Sequence, residues 1–232
     1  MLSRSAITEF LAQTSLFGPM DEAIRHTIAG EMRAIGFNAG QTIFGRGDPG
    51  TEMYLVVSGR VRISILSPEG RELSFAHAST GAVFGEIAML DGGLRTADAT
   101  AVDAVNVLCL SKPAFKRLLE THPRVAEAVI RFLCGRIRDA DQQLEAIALY
   151  PIEGRLARFF LATAKAAAPD DTEGQIAVDI SMSQSELALL VGASRPKVNA
   201  ALALLEASGA IVRSGTRITC SMSELEAIAG TA

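Results

Sequence analysis

The apolar positions of the first 36 residues recur at helical spacing. Steps of 4, 4 and 3 separate successive members of one series, which places them on a single helix face. Gly18-Pro19 separates this series from an earlier apolar segment, so the pattern predicts two short helices. The series consists of Ile24, Ile28, Met32 and Ile35.

Between residues 37 and 110 the pattern changes to short apolar or alternating runs that are separated by turn residues. The run Val61–Ile65 alternates apolar and polar side chains, as a strand with one buried face does. Many short strands at close spacing predict a small antiparallel sandwich or roll. The predicted strands are Thr42–Phe44, Met53–Val57, Val61–Leu66, Leu73–Ala76, Ala82–Phe84, Thr96–Ala101 and Val105–Leu110.

One glycine-rich segment within this region has the spacing of a dinucleotide-binding motif. Gly45–Gly50 matches G-x-G-x-x-G. That motif must open a helix after a strand, whereas here the strand-like run Met53–Val57 follows and Pro49 lies inside. We therefore interpret Gly45–Gly50 as a loop between strands.

A helical pattern returns at Lys112, and from Ile130 onward the apolar residues are separated by alternating steps of 3 and 4. This a/d spacing is typical of a parallel coiled-coil dimer. A helix that packs only on its own domain is the alternative. Tyr150-Pro151 predicts the end of the helix. The a/d residues are Ile130, Leu133, Ile137, Ala140, Leu144 and Ile147.

The C-terminal third predicts two helices joined by a tight turn and followed by a hairpin. Ser183 and Glu186 have the spacing of a capping box at the start of the first helix. Gly192 lies in the turn, and Ser194 is placed to cap the second helix. Ser214-Gly215 marks the hairpin turn. This order is typical of a winged helix-turn-helix, whose second helix enters the DNA major groove.

The start of that second helix carries side chains that can read bases. Arginine can donate two hydrogen bonds to guanine, and asparagine pairs with adenine in the same bidentate way. Over residues 181–217, four cationic side chains against two carboxylates leave a local charge of +2. An ordinary helical domain with a solvated basic edge is the alternative. The candidate DNA-contacting residues are Ser183, Gln184, Ser194, Arg195, Lys197 and Asn199.

Residues 81–101 predict an anion site. A strand ends at Gly85, and Glu86–Leu90 can form one helical turn whose free N–H groups suit an anion. Arg95 and Thr96 follow, and a guanidinium beside a hydroxyl suits a phosphate. The Glu86 carboxylate can accept hydrogen bonds from sugar hydroxyls. The alternative is a surface ion pair between Glu86 and Arg95.

Composition narrows the class of protein. The 232 residues are 49% hydrophobic and 21% charged, which is typical of a globular chain. No apolar run approaches the roughly 18 residues of a membrane span, and we expect neither a membrane segment nor a secretory signal. Three scattered cysteines and three scattered histidines favour a reducing cytoplasm over disulfides or a metal site. Because the net charge is -4, attraction to DNA must come from a local patch.

The whole chain resembles the Crp–Fnr family of bacterial transcription regulators. The resemblance is carried by Gly85–Ala88 with Arg95–Ala97, by the hairpin Tyr54–Val61 and by Val191–Arg195. It implies an α+β fold with an N-terminal cyclic-nucleotide-binding β-roll of jelly-roll type (residues 1–120), a long dimerisation helix (121–149) and a C-terminal winged helix-turn-helix (150–232). It further implies a non-enzymatic homodimer that binds double-stranded DNA and contacts RNA polymerase.

The resemblance also implies roles for single residues. In cyclic-nucleotide-binding members, the residues that match Arg95 and Thr96 bind the cyclic phosphate, and the one that matches Glu86 binds the ribose 2′-hydroxyl. Arg136 matches an arginine that lies near the ligand. The candidate nucleotide-binding residues are Gly85, Glu86, Ile87, Arg95, Thr96, Arg136 and Asp141.

Departures from the family pattern leave the effector open between cAMP and cGMP. Ala140-Asp141 replaces two hydroxyl residues that read adenine in the bacterial cAMP receptor, and Asp141 can instead accept from a purine N–H. Arg95–Ala97 resembles the matching segment of cGMP-dependent kinases. Pro196 and Ala200 replace a glutamate and an arginine of the receptor's DNA-reading helix. Two alternatives remain, a regulator that ignores nucleotides and a cupin-like enzyme, and the latter requires a cluster of metal ligands.

Overall fold

The computed structural model describes residues 2–66, 72–168, 174–180 and 182–230. The chain divides into two compact units, Met1–Ile137 and Arg138–Ala232, and the division falls inside the longest helix. The domain boundaries expected from the sequence, at residues 120 and 149, stay a prediction.

The first unit begins with two helices, α1 (Arg4–Ala12) and α2 (Glu22–Glu31), and continues into strand β1 (Arg33–Phe37). The sequence pattern placed Met32 and Ile35 on the face of the second helix, and that prediction is wrong. Met32 is already extended, and Ile35 pairs with Val107 in an antiparallel ladder. The sheet satisfies the backbone groups of this segment, so tertiary pairing overrides the local helical spacing.

Two antiparallel sheets form the roll, which confirms the predicted fold class. One sheet has the order β1-β8-β3-β6 and the other the order β2-β7-β4-β5. Along β3, Tyr54 and Val56 face the opposite sheet, while Met53 and Leu55 face the helices. The strands after β1 are β2 (Thr42–Phe44), β3 (Glu52–Ser58), β4 (Val61–Leu66), β5 (Glu72–Ala78), β6 (Val83–Phe84), β7 (Asp98–Ala101) and β8 (Val105–Ser111).

Helix α3 (Glu86–Asp91) lies between β6 and β7, and α4 (Lys112–Thr121) precedes the 26-residue α5 (Arg124–Leu149). The chain breaks between α4 and α5 at His122-Pro123, because proline cannot donate to a helix interior. No helix within the described residues is both long and apolar enough to cross a membrane. Several apolar side chains of α5 are exposed, namely Ile130, Ile137, Leu144, Ile147 and Leu149.

The second unit encloses one apolar core in a winged helix-turn-helix. Its sheet has the order β10-β11-β9, in which β9 and the terminal helix α9 are elements that the sequence pattern did not predict. Strand β9 pairs with the wing strand β11, and α9 packs on α6. The elements are α6 (Ile152–Ala167), β9 (Gln175–Asp179), α7 (Gln184–Leu190), α8 (Arg195–Ala207), β10 (Ile211–Ser214), β11 (Arg217–Ser221) and α9 (Met222–Ala229).

Candidate nucleotide site and nucleic-acid interface

The backbone of Arg95 is fixed by the glycine-rich loop that precedes β3. The Arg95 N–H donates to the Asp48 carbonyl over 2.8 Å, and the Gly47 N–H donates to the Arg95 carbonyl over 2.9 Å. The segment Gly45–Gly50 is therefore a loop between strands, as the sequence pattern predicts. It also shapes the candidate site, which the pattern did not indicate.

The side chain of Arg95 is a buried cation that has no carboxylate in ion-pair contact in the described part of the chain. Its guanidinium Nη1 donates to the Gly85 carbonyl over 2.5 Å, and its Cζ lies 4.2 Å from the ring centre of Phe44. Its Nε is buried and has no hydrogen-bond partner. Among the residues for which the structure gives positions, no carboxylate lies within 4.0 Å of this guanidinium. Burial lowers the pKa of Arg95, but an arginine still stays protonated. The site fits an anion.

Two glycines allow the backbone to approach this cation closely. Gly85 has a φ of 73°, and a Cβ there would lie 2.7 Å from Arg95 Nη1. A Cβ at Gly50 would lie 2.3 Å from the Ala88 Cβ and 3.2 Å from Arg95 Cζ. Any larger residue at either position would displace the guanidinium.

Glu86 is the first residue of α3 and is 3% exposed. Its Oε1 accepts a hydrogen bond from Arg136 Nη1 over 3.0 Å, and the same nitrogen lies 3.4 Å from the Val83 carbonyl oxygen. The alternative of an ion pair between Glu86 and Arg95 is wrong, since the carboxylate pairs with Arg136 instead. This leaves Arg95 available for a ligand.

The remaining predicted residues of this site are more exposed. Thr96 follows Arg95 directly and is exposed, as is Ile87 on α3. Asp141 is exposed on α5 but belongs to the second unit. The structure thus brings Gly85, Glu86, Arg95 and Arg136 together, and the contribution of the other three residues stays a prediction.

An aromatic wall lines the side of the site behind Arg95. Tyr54 and Phe84 stack with ring centres 5.2 Å apart, and Tyr54 lies 5.9 Å from Phe44. The Tyr54 hydroxyl donates to Glu52 over 3.2 Å. Burial and the Glu52 charge raise the pKa of Tyr54 to about 12, so it stays neutral. The sequence pattern places Tyr54 and Phe84 in strands but does not indicate that the Tyr54 ring lies near Arg95.

The helix-turn-helix begins with the predicted capping box. The Ser183 N–H donates to Glu186 Oε2 over 2.7 Å, and the Glu186 N–H donates to Ser183 Oγ over 3.2 Å. Gly192 has a φ of 64° in the turn. Arg155 Nη1 donates to the Val191 carbonyl over 2.6 Å, a contact that ties α6 to the turn and that no sequence motif indicated.

Helix α8 separates an apolar face from a polar one. Val198, Leu202 and Leu205 are buried in the core of the unit. At the N-terminal end of α8 the side chains point outward, and Arg195 Nε donates to Gln184 Oε1 over 3.4 Å. The exposed candidates for DNA contact are Ser183, Ser194, Arg195, Lys197 and Asn199.

An ion pair between α8 and the wing reduces the local positive charge. Arg213 donates from Nε and Nη2 to the two carboxylate oxygens of Glu206 over 2.8 and 2.7 Å. These hydrogen bonds lower the pKa of Glu206 and raise that of Arg213. The basic groups left at the polar surface are Arg195 and Lys197 on α8 and Arg217 on the wing.

Within the described ranges, no group of three or more histidine, cysteine or acidic side chains is arranged to hold an ion. Burial and the nearby Glu52 carboxylate raise the pKa of the Cys109 thiol to about 12, and burial raises that of Cys220 to about 11. Both thiols are therefore protonated, and weakly nucleophilic, at neutral pH.

Comparison with known protein families agrees with both halves of this geometry. Residues 35–122 match the cyclic nucleotide-binding domain, and residues 154–228 match the Crp-like helix-turn-helix domain. The CRP-like cAMP-activated global transcriptional regulator of Mycobacterium tuberculosis is 30% identical over 216 residues, which is 93% of this chain and 96% of that relative.

Solved structures show the same architecture. The catabolite activator protein of Thermus thermophilus is 28% identical, with a TM-score of 0.54 over 94% of this chain and 99% of that one. The c-di-GMP responsive global regulator CLP of Xanthomonas campestris, 22% identical, has a TM-score of 0.67 over 87% of this chain and 99% of that one, a likeness in fold alone.

These matches define the class of protein. A cyclic-nucleotide-binding roll, a long helix and a winged helix-turn-helix occur here in the order that the relatives share. The chain belongs to the Crp–Fnr family of transcription regulators, and it is a DNA-binding regulator with a cyclic nucleotide-binding domain.

Proposed function

We propose that this protein is a homodimeric transcription regulator whose affinity for DNA is set by a cyclic nucleotide bound beside Arg95. The observation that carries the proposal is the buried Arg95 guanidinium, which has an unpaired Nε and, in the described part of the chain, no carboxylate within ion-pair distance. A buried charge that lacks a partner is costly, and a ligand anion removes that cost. A cyclic phosphate diester carries one negative charge and fits this requirement.

Each side chain of the site has a distinct task in this proposal. Arg95 neutralises the phosphate through its free donors, and the Thr96 hydroxyl supplies a further hydrogen bond. Glu86 accepts from the ribose 2′-hydroxyl while Arg136 holds the carboxylate in position through a hydrogen bond. Gly85 and Ile87 flank Glu86 at the start of α3 and contribute contacts to the ligand.

The identity of the nucleotide is the first matter for experiment. The name of the M. tuberculosis relative favours cAMP, whereas the threonine in Arg95–Ala97 favours cGMP. Calorimetric titration of the purified protein with each nucleotide separately, and with c-di-GMP as a third ligand, decides between them. Binding of cAMP or cGMP supports the proposal. Absence of binding to all three contradicts it.

A matched pair of variants tests the site itself. Arg95→Leu removes at least one charge-assisted hydrogen bond to the phosphate, worth about 1.5–3 kcal/mol, so affinity should fall by at least about 10- to 150-fold. Arg117→Leu is the control, because that exposed arginine of the same unit pairs with Glu31 on the surface. Equal affinities for the two variants would contradict the assignment of Arg95.

The DNA-binding half of the proposal rests on the outward polar face of α8. Arg195, Lys197 and Asn199 project from its N-terminal half. The proposed phosphate contacts are Ser194, which precedes α8, and Ser183 and Gln184 at the start of α7. Two such helices in a dimer read half-sites about one helical turn, roughly 34 Å, apart. The exposed apolar residues of α5 supply the dimer interface. The nucleotide favours one arrangement of the two reading helices.

Salt dependence separates phosphate contacts from base contacts. For a duplex selected from a random library, Lys197→Ala should lower the slope of log affinity against log salt by about one per subunit, because one phosphate contact is lost. Lys165→Ala is the control, since Lys165 pairs with Glu226 away from the polar face of α8. A full-affinity complex without nucleotide would favour the ligand-independent alternative.

We further propose RNA polymerase as a partner. The basis is membership of a family of global transcriptional regulators, as the M. tuberculosis relative is named. Transcription in vitro from a promoter that contains the selected site should change when protein and nucleotide are added together. An unchanged transcript level at saturating DNA occupancy would contradict a direct effect on the polymerase.

A further inference from the structure

The heptad register of α5 places one acidic and one basic side chain opposite each other in a parallel dimer. With Ile130, Ile137 and Leu144 at position a, Arg136 falls at position g and Asp141 at position e of the next heptad. In a parallel coiled coil, each g side chain faces the e side chain five residues later on the other strand. Arg136 therefore faces the partner's Asp141.

Arg136 with Asp141 is the oppositely charged combination among these neighbouring g–e pairs of α5. The g and e positions one heptad before and after it hold uncharged residues. The uncharged g–e combinations are Val129 with Cys134 and Gln143 with Ala148.

Both side chains retain unused hydrogen-bonding capacity within one chain. Arg136 is 46% exposed, and its hydrogen bonds to Glu86 and Val83 both come from Nη1. No bond from its Nε or Nη2 occurs among the residues described. Asp141 is exposed and, over the same ranges, has neither an ion pair nor a hydrogen bond.

We propose that Arg136 bridges Glu86 of its own subunit to Asp141 of the partner subunit. The inference rests on the proposed homodimer through α5 and assigns Asp141 to an arginine in place of a purine N–H. Two symmetry-related bridges then link each nucleotide site to the helix of the other subunit. Because one guanidinium serves both carboxylates, a ligand that hydrogen-bonds to Glu86 competes with Arg136 for that carboxylate.

Disulfide trapping tests the juxtaposition directly. In a Cys134→Ser background, the double variant Arg136→Cys/Asp141→Cys should form a covalent dimer on mild oxidation. Within one helix these positions lie about 7.5 Å apart along the axis and on different faces, so they cannot bond to each other. The control is Arg136→Cys/Asp139→Cys, in which position 139 points away from the seam. Absence of covalent dimer in the test pair, or equal yield in both pairs, overturns the proposal.

A charge substitution gives a second readout that leaves Arg136 and Glu86 intact. Asp141→Asn should raise the dimer dissociation constant about 2- to 30-fold, as expected for the loss of two partly exposed ion pairs. The ratio of cAMP to cGMP affinity should stay unchanged. Glu145→Gln, which alters an exposed carboxylate one turn further along α5, is the control. An unchanged dissociation constant, or a changed affinity ratio, contradicts the bridge.

Different results would contradict the proposed bridge and the proposed homodimer. If wild-type protein binds nucleotide and dimerises but shows neither trapping nor weakening, the bridge is wrong and the proposed function stands. If wild-type protein is monomeric at every concentration tested by ultracentrifugation, the homodimer and the bridge are both wrong.

Discussion

The two units of this protein handle polar side chains in opposite ways. The roll buries a carboxylate and a guanidinium, Glu86 at 3% and Arg95 at 5% exposure, inside a largely apolar framework. In the described residues of the second unit, the buried side chains are apolar and the polar candidates stand outside. A site for a small anionic ligand requires an enclosed positive charge. A surface that enters a DNA groove requires exposed hydrogen-bond donors on a domain whose core is already packed.

The largest effect should follow from damage to the apolar core of the second unit. Phe160 is fully buried there, and Phe160→Ala should cost about 3–5 kcal/mol of unfolding free energy, because it leaves a cavity. Urea unfolding followed by circular dichroism measures the loss. Phe159→Ala, which truncates a half-buried neighbour of Phe160, is the control and should cost less.

A smaller loss of unfolding free energy is expected when a side chain is added beside Arg95, where the packing is already tight. Gly50→Ala places a Cβ 2.3 Å from the Ala88 Cβ, and should cost about 1–3 kcal/mol while weakening nucleotide binding. Gly36→Ala on β1, where the nearest atom is 3.4 Å away, is the control. Unchanged stability and binding in Gly50→Ala would show that the loop moves freely.

Replacing the buried cation should hardly change the stability of the free protein. Arg95→Leu removes a hydrogen bond to Gly85 but also removes the desolvation cost of an unneutralised charge, so the two effects offset to within about 1 kcal/mol. Thermal melting with and without nucleotide checks this. Wild type should gain stability from the ligand and the variant should not. A large loss in the free variant would assign Arg95 a structural role.

The smallest effect concerns the surface pair between Glu206 and Arg213. The pKa of Glu206 is lowered in the folded state, so its contribution is present above the unfolded pKa and is lost as the pH falls through the folded value. Because both side chains are about one-third exposed, the contribution at neutral pH is below about 1 kcal/mol. Melting curves of wild type and Glu206→Gln should differ slightly at pH 7 and converge in acid.

Much of the fold could be predicted because local pattern and tertiary structure agree. Strand alternation located the roll, and the capping box with its glycine turn located the helix-turn-helix to within a residue or two. The pattern failed at Ile35, where pairing with β8 overrides helical spacing, and at β9, which is defined by its partner β11.

The candidate site was predictable in its charges but not in its contacts. Arg95 stood out because a phosphate needs a cation, and Glu86 because a sugar hydroxyl needs an acceptor, while an ion pair between the two stayed open as an alternative. Their separation depends on Arg136, about 50 residues along the chain, and on an aromatic wall from three strands. No local signal reports such long-range contacts. The steric demand at Gly50 is equally invisible without the position of Ala88.

The backbone hydrogen bonds between Arg95 and the Gly45–Gly50 loop make the position of Arg95 depend on the length of that loop. Surface loops usually tolerate insertions, but one added residue here would shift the two hydrogen bonds out of register and carry the arginine with them. The connection between β2 and β3 should accordingly keep its length through evolution even where its composition drifts. The number of residues in this loop, compared across homologous proteins whatever their sequence, should then distinguish proteins that bind an anion at this site from proteins that do not.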